Sequence, residues 1–229
     1  MTTGGTQVDV MLTSTWNEPN PDAPEHFVER LERLDGSINY YSYQHDTDRA
    51  TLAPSRTSLG IGEQDLVLFS GANFFKLVPE QTACWVRILQ QLPGSVLLLM
   101  PFNPNWASSY RRLPFLLRLQ AQLAEAGLAP DRIRVLDPVP TRADVQRCVG
   151  LADLYLDPFP FSGACSLIDP LEVAVPPVVR RGLVGRSQHA ASLMRLAGLE
   201  DWICDDEAGY EEAVIKLGRS PELRQRVRE

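Results

Sequence analysis

The stretch DLYLDPFPFSGACSLIDPLE, residues 153–172, contains a short apolar strand, a tight turn and the start of a helix. Two prolines and two phenylalanines follow the strand, and small residues then occupy positions 162–166. A buried strand that passes through a turn into a helix is the repeating unit of a parallel α/β sheet. This stretch therefore indicates the fold class, and the rest of the chain can be compared with it.

Six short apolar runs alternate with longer amphipathic segments from residue 66 onward. The runs are bounded by Gly, Pro or Asp and are too apolar for strands with one wet face, which indicates buried parallel strands. The predicted strands are 66–70, 95–100, 132–136, 153–157, 176–180 and 201–204. The predicted helices are 79–91, 110–126, 141–150, 165–174, 186–197, 207–217 and 220–228. This alternation predicts an α/β fold with a doubly wound, Rossmann-like parallel sheet over residues 66–229.

Residues 1–65 do not follow this repeat. A strand is predicted at 8–12 and an amphipathic helix at 23–34, and the chain from 38 to 62 is expected to be irregular. We interpret residues 1–65 as a linker or as the remnant of another domain.

The composition narrows the classes of function. A formal net charge of -7 argues against nucleic acid or an anionic membrane surface as a partner, since both attract basic faces. The four cysteines form no CxxC pair, so no metal site is expected and free thiols in a reducing cytoplasm are the default. No apolar run reaches the length of a membrane span, and the first ten residues lack the pattern of a signal peptide.

Ligands of an open parallel sheet bind outside the carboxyl ends of its strands. The loops that leave the predicted strands at 70–76, 136–142 and 157–166 are therefore the candidate binding elements. In the last of them, Gly163, Cys165 and Ser166 would let a phosphate approach the backbone N–H groups at a helix N-terminus. Small residues at these positions also permit close packing of a helix on a sheet, and the spacing alone does not choose between the two interpretations.

Asp169 follows Ser166 by three residues, so one helical face would carry both. Its carboxylate would repel a phosphate but could accept hydrogen bonds from the hydroxyl groups of a ribose. The alternative is a capping box, in which Asp169 reaches back to the first residue of the helix. Both interpretations stay open at this point.

Two basic residues follow predicted strands. Lys76 could neutralise a diphosphate as it becomes a leaving group, or it could be a solvated lysine at a helix start. Arg142, at the first turn of a predicted helix, opposes the helix dipole, and this small cost is a hint of a ligand.

The segment 153–179, DLYLDPFPFSGACSLIDPLEVAVPPVV, resembles the donor-binding motif of the family-41 glycosyltransferases. These include O-GlcNAc transferase, the plant SPINDLY proteins and the bacterial N-glucosyltransferases of adhesins. The segment LVLFSGANFFKLVPEQTACWVRILQQLPGSVLLLM (66–100) is similar to the strand, lysine-bearing loop and helix of that family, and DRIRVLDPVP (131–140) to a further strand. The resemblance covers about residues 25–229.

The resemblance implies the C-terminal, nucleotide-sugar-binding half of a GT-B fold. It further implies a UDP-sugar donor with no metal or other cofactor, and the transfer of GlcNAc or a hexose to Ser/Thr or Asn side chains of a protein or peptide acceptor. An N-terminal half would supply the acceptor groove, and our expectation is that this half is missing from the chain.

The same resemblance implies roles for individual residues. Lys76 stands at the catalytic lysine that contacts the diphosphate, and Asn73 at a polar position three residues before it. Cys165 and Ser166 occupy the positions of two hydroxyl residues that hold the diphosphate.

The remaining implied contacts are with the nucleoside. Asp169 falls on the carboxylate that binds the ribose, and Arg142 takes the place of a lysine near the uracil. Three further residues depart from the family pattern: Ala164 and Val145 replace histidines, and Cys165 replaces a threonine. These departures leave an alternative open, a truncated or degenerate nucleotide-sugar-binding module without turnover of its own.

Overall fold

The computed structural model describes residues 2–42, 49–101 and 112–229. Residues 43–48 of the segment expected to be irregular lie outside these ranges, as do residues 110 and 111 at the start of a predicted helix. Within the described ranges the strands form one two-stranded and one six-stranded sheet.

The two-stranded sheet lies near the N-terminus. Its strands β1 (Val10–Ser14) and β2 (Arg30–Leu34) pair in parallel, with Val10 opposite Arg30 and Ser14 opposite Leu34. The first strand therefore begins two residues later than predicted.

The helix predicted at 23–34 is wrong. Only Ala23–His26 form a single 3-10 turn, and β2 occupies the second half of the segment. The side chains of β2 alternate between exposed and half-buried, which is the period of a strand. The spacing of Leu31 and Leu34 also fits a helix, but backbone pairing with β1 outweighs that local preference because strand formation depends on a partner far away in sequence.

The six-stranded sheet confirms the predicted fold class. Its strands are β3 (Leu66–Ser70), β4 (Ser95–Leu99), β5 (Ile133–Val135), β6 (Leu154–Leu156), β7 (Pro177–Arg180) and β8 (Ile203–Cys204). They are all parallel and lie in the order β5-β4-β3-β6-β7-β8. Counted from β3 as the first strand, this is the order 3-2-1-4-5-6 of a doubly wound Rossmann sheet.

The helices follow the strands as predicted. They are α1 (Pro79–Gln91), α2 (Arg112–Glu125), α3 (Arg142–Val149), α4 (Cys165–Glu172), α5 (His189–Leu196), α6 (Glu207–Arg219) and α7 (Pro221–Arg228). No helix of the described ranges has the length and apolarity needed to cross a bilayer.

The strands of the large sheet are apolar because helices cover them. All five residues of β4 are buried, and Phe69 and Leu68 of β3 have no exposed surface. Trp85 of α1 is buried beside the sheet and donates its indole N–H to the Tyr210 hydroxyl of α6 at 3.2 Å. Each such strand therefore reads as a continuous apolar run, which is why the periodicity identified it.

The N-terminal segment contacts two helices of the large sheet. Asn17 Nδ2 lies 3.2 Å from Nδ1 of His189 on α5. The carboxylate of Asp144 on α3 accepts the backbone N–H groups of Thr51 and Leu52, each at 2.7 Å. The division of the chain at residues 65 and 66 stays a prediction.

Candidate functional site

A cleft of about 400 Å³ opens at the carboxyl ends of β3, β4 and β6. The chain order reverses between β3 and β6, so the crossovers leave the sheet in opposite directions there and leave room for a ligand. One wall is apolar and includes Phe69, Met100, Val139 and Val145. The polar residues that line the cleft include Asn73, Lys76, Ser166 and Asp169. The volume and the mixed lining suit a small-molecule site.

Lys76 ends a 3-10 turn, Phe74–Lys76, that follows β3. Asn73 caps this turn, because its side-chain oxygen accepts the Phe75 N–H at 3.1 Å. The Lys76 ammonium donates to the Ser162 carbonyl at 2.9 Å and lies 4.4 Å from the centre of the Phe161 ring. The interpretation of Lys76 as a solvated lysine is therefore wrong, since its charge is held against the turn at 162–166.

That turn is fixed by hydrogen bonds from behind. The Gly163 N–H donates to the Asp157 carboxylate at 2.8 Å, and the Ser162 N–H and hydroxyl both donate to the Arg186 carbonyl. A Cβ atom on Gly163 would lie only 2.6 Å from Asp157 Oδ1 and 2.9 Å from Ser166 Oγ. Position 163 therefore requires glycine, and Gly163 shapes the turn from behind the cleft surface.

The buried Asp157 carboxyl interacts electrostatically with the half-buried Lys76 ammonium. Burial raises the pKa of the Asp157 carboxyl well above its ordinary value, while the Gly163 N–H and the Lys76 charge oppose that rise. Burial lowers the pKa of Lys76, and the nearby Asp157 opposes that shift. Each charge is disfavoured by loss of water and stabilised by the other.

Helix α4 begins directly at the cleft. The helix starts at Cys165, and its N-cap residue, Ala164, makes no side-chain capping bond. The first turn of α4 faces the cavity. The first N–H groups of an α-helix lack partners within the helix and carry a partial positive charge. Ala164, Cys165 and Ser166 line the cleft at this end, which makes it a local donor site for an anion.

The carboxylate of Asp169 does not serve as a helix cap. Because α4 begins at Cys165, Ser166 lies inside the helix, which decides against the alternative interpretation of Asp169 as part of a capping box. Asp169 Oδ1 instead lies 2.8 Å from the Arg142 guanidinium, with Gln146 Nε2 at 3.5 Å. Burial raises the pKa of Asp169 to about 6, Arg142 opposes that rise, and Glu172 adds to it.

Arg142 is the first residue of α3, after the N-cap residue Thr141. Its guanidinium pairs with Asp169 and with Glu172, two carboxylates of α4. These charges offset the unfavourable position of Arg142 at a helix N-terminus. Arg142 therefore links α3 to α4 behind Asp169.

The structure gathers most of the residues singled out from the sequence. Five of them line the cleft, namely Asn73, Lys76, Cys165, Ser166 and Asp169, whereas Gly163 and Arg142 support it from behind. Sequence reasoning assigned no role to Asp157 or Tyr155. A carboxylate at the end of a buried strand was the available signal for Asp157, but Tyr155 has the appearance of an ordinary core residue.

One group of side chains with metal-ligand chemistry lies apart from this cleft. Among the described residues, ligand atoms of Cys84, Glu207 and Glu211 lie within 4.8 Å of one another. The Arg87 guanidinium donates to both glutamates, and burial raises the pKa of the Cys84 thiol. An arginine therefore already supplies the positive charge at this cluster.

A family model and related sequences that match this chain are both those of glycosyltransferases. The model of the family described as "Glycosyl transferase family 41" matches residues 37–229. A probable UDP-N-acetylglucosamine–peptide N-acetylglucosaminyltransferase SPINDLY of Solanum lycopersicum is 30% identical over 94% of this chain. A probable enzyme of the same description, SEC of Arabidopsis thaliana, is 26% identical over all of it. The chain covers 22% of the first relative and 23% of the second, about a fifth of their length.

Solved structures with the same architecture include two glycosyltransferases. A mutant of the O-GlcNAc transferase of Thermobaculum terrenum superposes with a TM-score of 0.81 at 26% identity, over 99% of this chain and 40% of that one. WaaG, a glycosyltransferase of lipopolysaccharide biosynthesis, has a TM-score of 0.61 at 16% identity over 99% of this chain and 57% of its own, and shares the fold.

Proposed function

The chain belongs to glycosyl transferase family 41, and from this premise we propose that the cleft binds the UDP-sugar donor for glycosyl transfer to protein. The donor would be UDP-GlcNAc or a UDP-hexose, and the acceptor a Ser/Thr or Asn side chain of a protein or peptide. The fold supports this proposal because its neighbours are GT-B glycosyltransferases.

One observation carries the proposal. The Lys76 ammonium, from the turn after β3, converges on one cleft with the N-terminus of α4 and with the Asp169 carboxylate, which lies about one turn further along the same helix. The first two supply positive potential and N–H donors, which suit a diphosphate, and the third supplies an acceptor, which suits a ribose diol. A nucleoside diphosphate presents these two chemistries side by side.

Lys76 would carry the charge that develops on the leaving group. When the glycosidic bond to the diphosphate breaks, negative charge grows on the phosphate oxygen, and a nearby ammonium stabilises it. Because Lys76 is half-buried, the attraction between the two charges is stronger than it would be in water. With this lysine and the helix N-terminus in place, we propose that the donor site uses no metal ion.

Asp169 would accept hydrogen bonds from the ribose hydroxyls, with Arg142 and Gln146 holding its carboxylate in position. In the family resemblance Arg142 stands near the uracil. Its links to α4 give it a second role in this chain, the orientation of Asp169.

A second candidate function is a nucleotide-sugar-binding module without turnover. Val145 lines the cleft, as does Ala164, and both stand where the family pattern carries histidines. Neither side chain can move a proton or donate a hydrogen bond. This alternative keeps donor binding and loses the chemical step, so binding and transfer must be measured separately.

We further propose that the protein acts in the cytoplasm and meets its acceptor in a groove that a further, N-terminal half supplies. The four cysteines are free, and three of them are buried, which fits a reducing compartment.

The test of the donor site is a thermal-shift panel of UDP, GDP and ADP with their common sugars. UDP at 100 times its dissociation constant would add about 2.7 kcal/mol of stability, which for a chain of this size raises Tm by roughly 5–10 °C. We expect GDP and ADP to act more weakly.

The matched control uses the two lysines of the sequence. Lys76→Met removes the charge in the cleft and is expected to abolish most of the shift. Lys216 is exposed on α6 beside the Trp202 ring, so Lys216→Met should leave the shift unchanged. A panel in which no uridine nucleotide raises Tm would contradict the proposed donor site.

A further inference from the structure

Tyr155 is a buried residue at the floor of the cleft. It lies at the centre of β6, opposite Phe69 of β3 and Pro177 of β7, and its side chain has no exposed surface. Its ring stacks on that of Phe69, with the ring centres 6.1 Å apart. The residue nonetheless lines the cleft, so its hydroxyl end is directed at the cavity and not into the core.

The Tyr155 hydroxyl makes no hydrogen bond of normal length and angle with the described residues, although the Ser166 side chain and the Gly71 backbone lie close enough to lower its pKa. Buried tyrosine hydroxyls usually find a hydrogen-bond partner, since an unpaired polar group in a dry interior is destabilising. The other fully buried tyrosine of the core follows this rule. The Tyr210 hydroxyl accepts the Trp85 indole N–H and donates to the Asp157 carbonyl, both at 3.2 Å. The unpaired state of Tyr155 therefore indicates a partner that enters the cleft.

The partner must be a hydrogen-bond acceptor. Burial raises the pKa of the Tyr155 hydroxyl, and the Asp157 carboxylate raises it further, so the group stays a protonated phenol. Lys76, Ser166 and the N-terminus of α4 lie on the same cleft, and all of them offer donors or positive charge. An anionic oxygen is the group that satisfies such a surrounding.

Gly71, in the loop after β3, is the residue beside the Tyr155 hydroxyl, whose oxygen has almost no exposed surface. A Cβ atom at this position would be in van der Waals contact with the Tyr155 oxygen, at 3.4 Å.

We infer that the Tyr155 hydroxyl donates a hydrogen bond to a phosphate oxygen of the nucleoside diphosphate bound in the cleft. The inference rests on the proposed function and adds to it a donor from the floor of the sheet. It makes Tyr155 a binding residue for the diphosphate and assigns it no contact with the nucleoside.

The experiment compares Tyr155→Phe with the unmodified protein by calorimetry, with UDP, uridine and inorganic pyrophosphate as probes. Loss of a hydrogen bond to a charged oxygen should weaken UDP binding roughly tenfold to hundredfold. Pyrophosphate binding should fall by a similar factor, and uridine binding should stay the same. The Tm of unliganded Tyr155→Phe should be equal to or above that of the unmodified protein, because an unpaired buried hydroxyl is removed.

Tyr210→Phe is the matched control for stability. There the change leaves the Trp85 indole N–H without its acceptor, so Tm should fall. The two Tyr→Phe variants should therefore differ in the sign or size of their Tm change.

The outcomes separate this inference from the proposed function. Equal UDP and pyrophosphate affinities for Tyr155→Phe and the unmodified protein would overturn the inference and leave the donor site intact. A loss of uridine affinity equal to the loss for UDP would also overturn it, since the contact would then be with the nucleoside. If the unmodified protein binds pyrophosphate but not UDP, and Tyr155→Phe loses that binding, the proposed donor fails while the role of Tyr155 stands. If the unmodified protein binds neither UDP nor pyrophosphate, both the proposed donor site and the role of Tyr155 are overturned.

Discussion

At the scale of single residues, the protonation state of Asp169 is the main variable of the proposed donor site. In that site Asp169 would have to stay ionised to accept hydrogen bonds from the ribose hydroxyls, yet its surroundings disfavour its charge. Burial raises its pKa to about 6, and Arg142 opposes only part of that effect. The protonation of one carboxyl group therefore couples donor binding to pH in the weakly acidic range.

We expect Asp169→Asn to weaken UDP binding about tenfold to hundredfold at pH 7.5. The amide replaces one acceptor by a donor and removes a charge-assisted hydrogen bond, worth about 1.5–3 kcal/mol. Calorimetry at pH 7.5 and at pH 5 measures the ratio of the two affinities, in which the titration of the phosphate itself cancels. The ratio should shrink at pH 5, where the Asp169 carboxyl of the free protein is protonated. A ratio near one at pH 7.5 would remove Asp169 from the ribose site.

Lower pH should weaken UDP binding through Asp169, but the same protonation should stabilise the unliganded fold. The folded pKa of Asp169 lies above the ordinary value of 3.8, so between about pH 4 and 6 the folded state binds the proton and the unfolded state does not. This residue therefore adds stability as pH falls through 6, and Asp169→Asn should lack that gain.

At the scale of elements, one carboxylate of α3 holds residues 51 and 52 of the N-terminal segment. Asp144 accepts the N–H groups of Thr51 and Leu52, and its second oxygen accepts the hydroxyls of Thr51 and Thr141. Burial raises the pKa of Asp144, but these hydrogen bonds outweigh it and lower the pKa to about 2.

Asp144→Ala should lower Tm and speed proteolysis near residues 49–52, because two partly buried backbone N–H groups lose their acceptor. Asp144→Asn keeps one acceptor oxygen and should lose less. Asp137→Ala is the control, since that carboxylate is largely exposed and should matter little.

The difference between Asp144→Ala and the unmodified chain also has a defined pH dependence. A lowered folded pKa gives stability above the ordinary value of 3.8 that is lost as pH falls toward 2. Urea unfolding at pH 7 and pH 3 should show the gap narrowing. An unchanged gap would mean that Asp144 acts through packing and not through its charge.

At the scale of the whole molecule, the polar groups of the candidate site all belong to one Rossmann-like sheet and its helices. The chain as a whole covers 40% of the length of the O-GlcNAc transferase structure that it resembles. Glycosyl transfer needs an acceptor held against the donor with water excluded, and a cleft open on one side provides neither.

We therefore expect the 229-residue chain by itself to bind UDP but to show no efficient multiple-turnover transfer. The measurement is mass spectrometry of a peptide library after incubation with UDP-GlcNAc or UDP-glucose, with UDP binding by the same sample as the control for folding. Efficient transfer would show that this chain is sufficient, and it would exclude the binding module without turnover.

The sequence by itself determined the parallel sheet, its helices and the edge at which a ligand would bind. Continuous apolar runs occur where both faces of a strand are covered, and this is a local pattern that needs no coordinates. The position of Lys76 and the small residues of the turn at 162–166 then followed from the loops at the strand ends.

Only the tertiary structure decided the features that depend on distant partners. Residues 30–34 became a strand because β1 lies beside them, although their own spacing also fits a helix. The carboxylate of Asp169 pairs with Arg142, 27 positions earlier in the sequence, and does not cap the helix. Burial raised the pKa of Asp157, and the shape of the cleft left the Tyr155 hydroxyl unpaired. Electrostatic shifts and hydrogen-bond satisfaction depend on distances and solvent exposure in three dimensions, and neither quantity is encoded in a local run of residues.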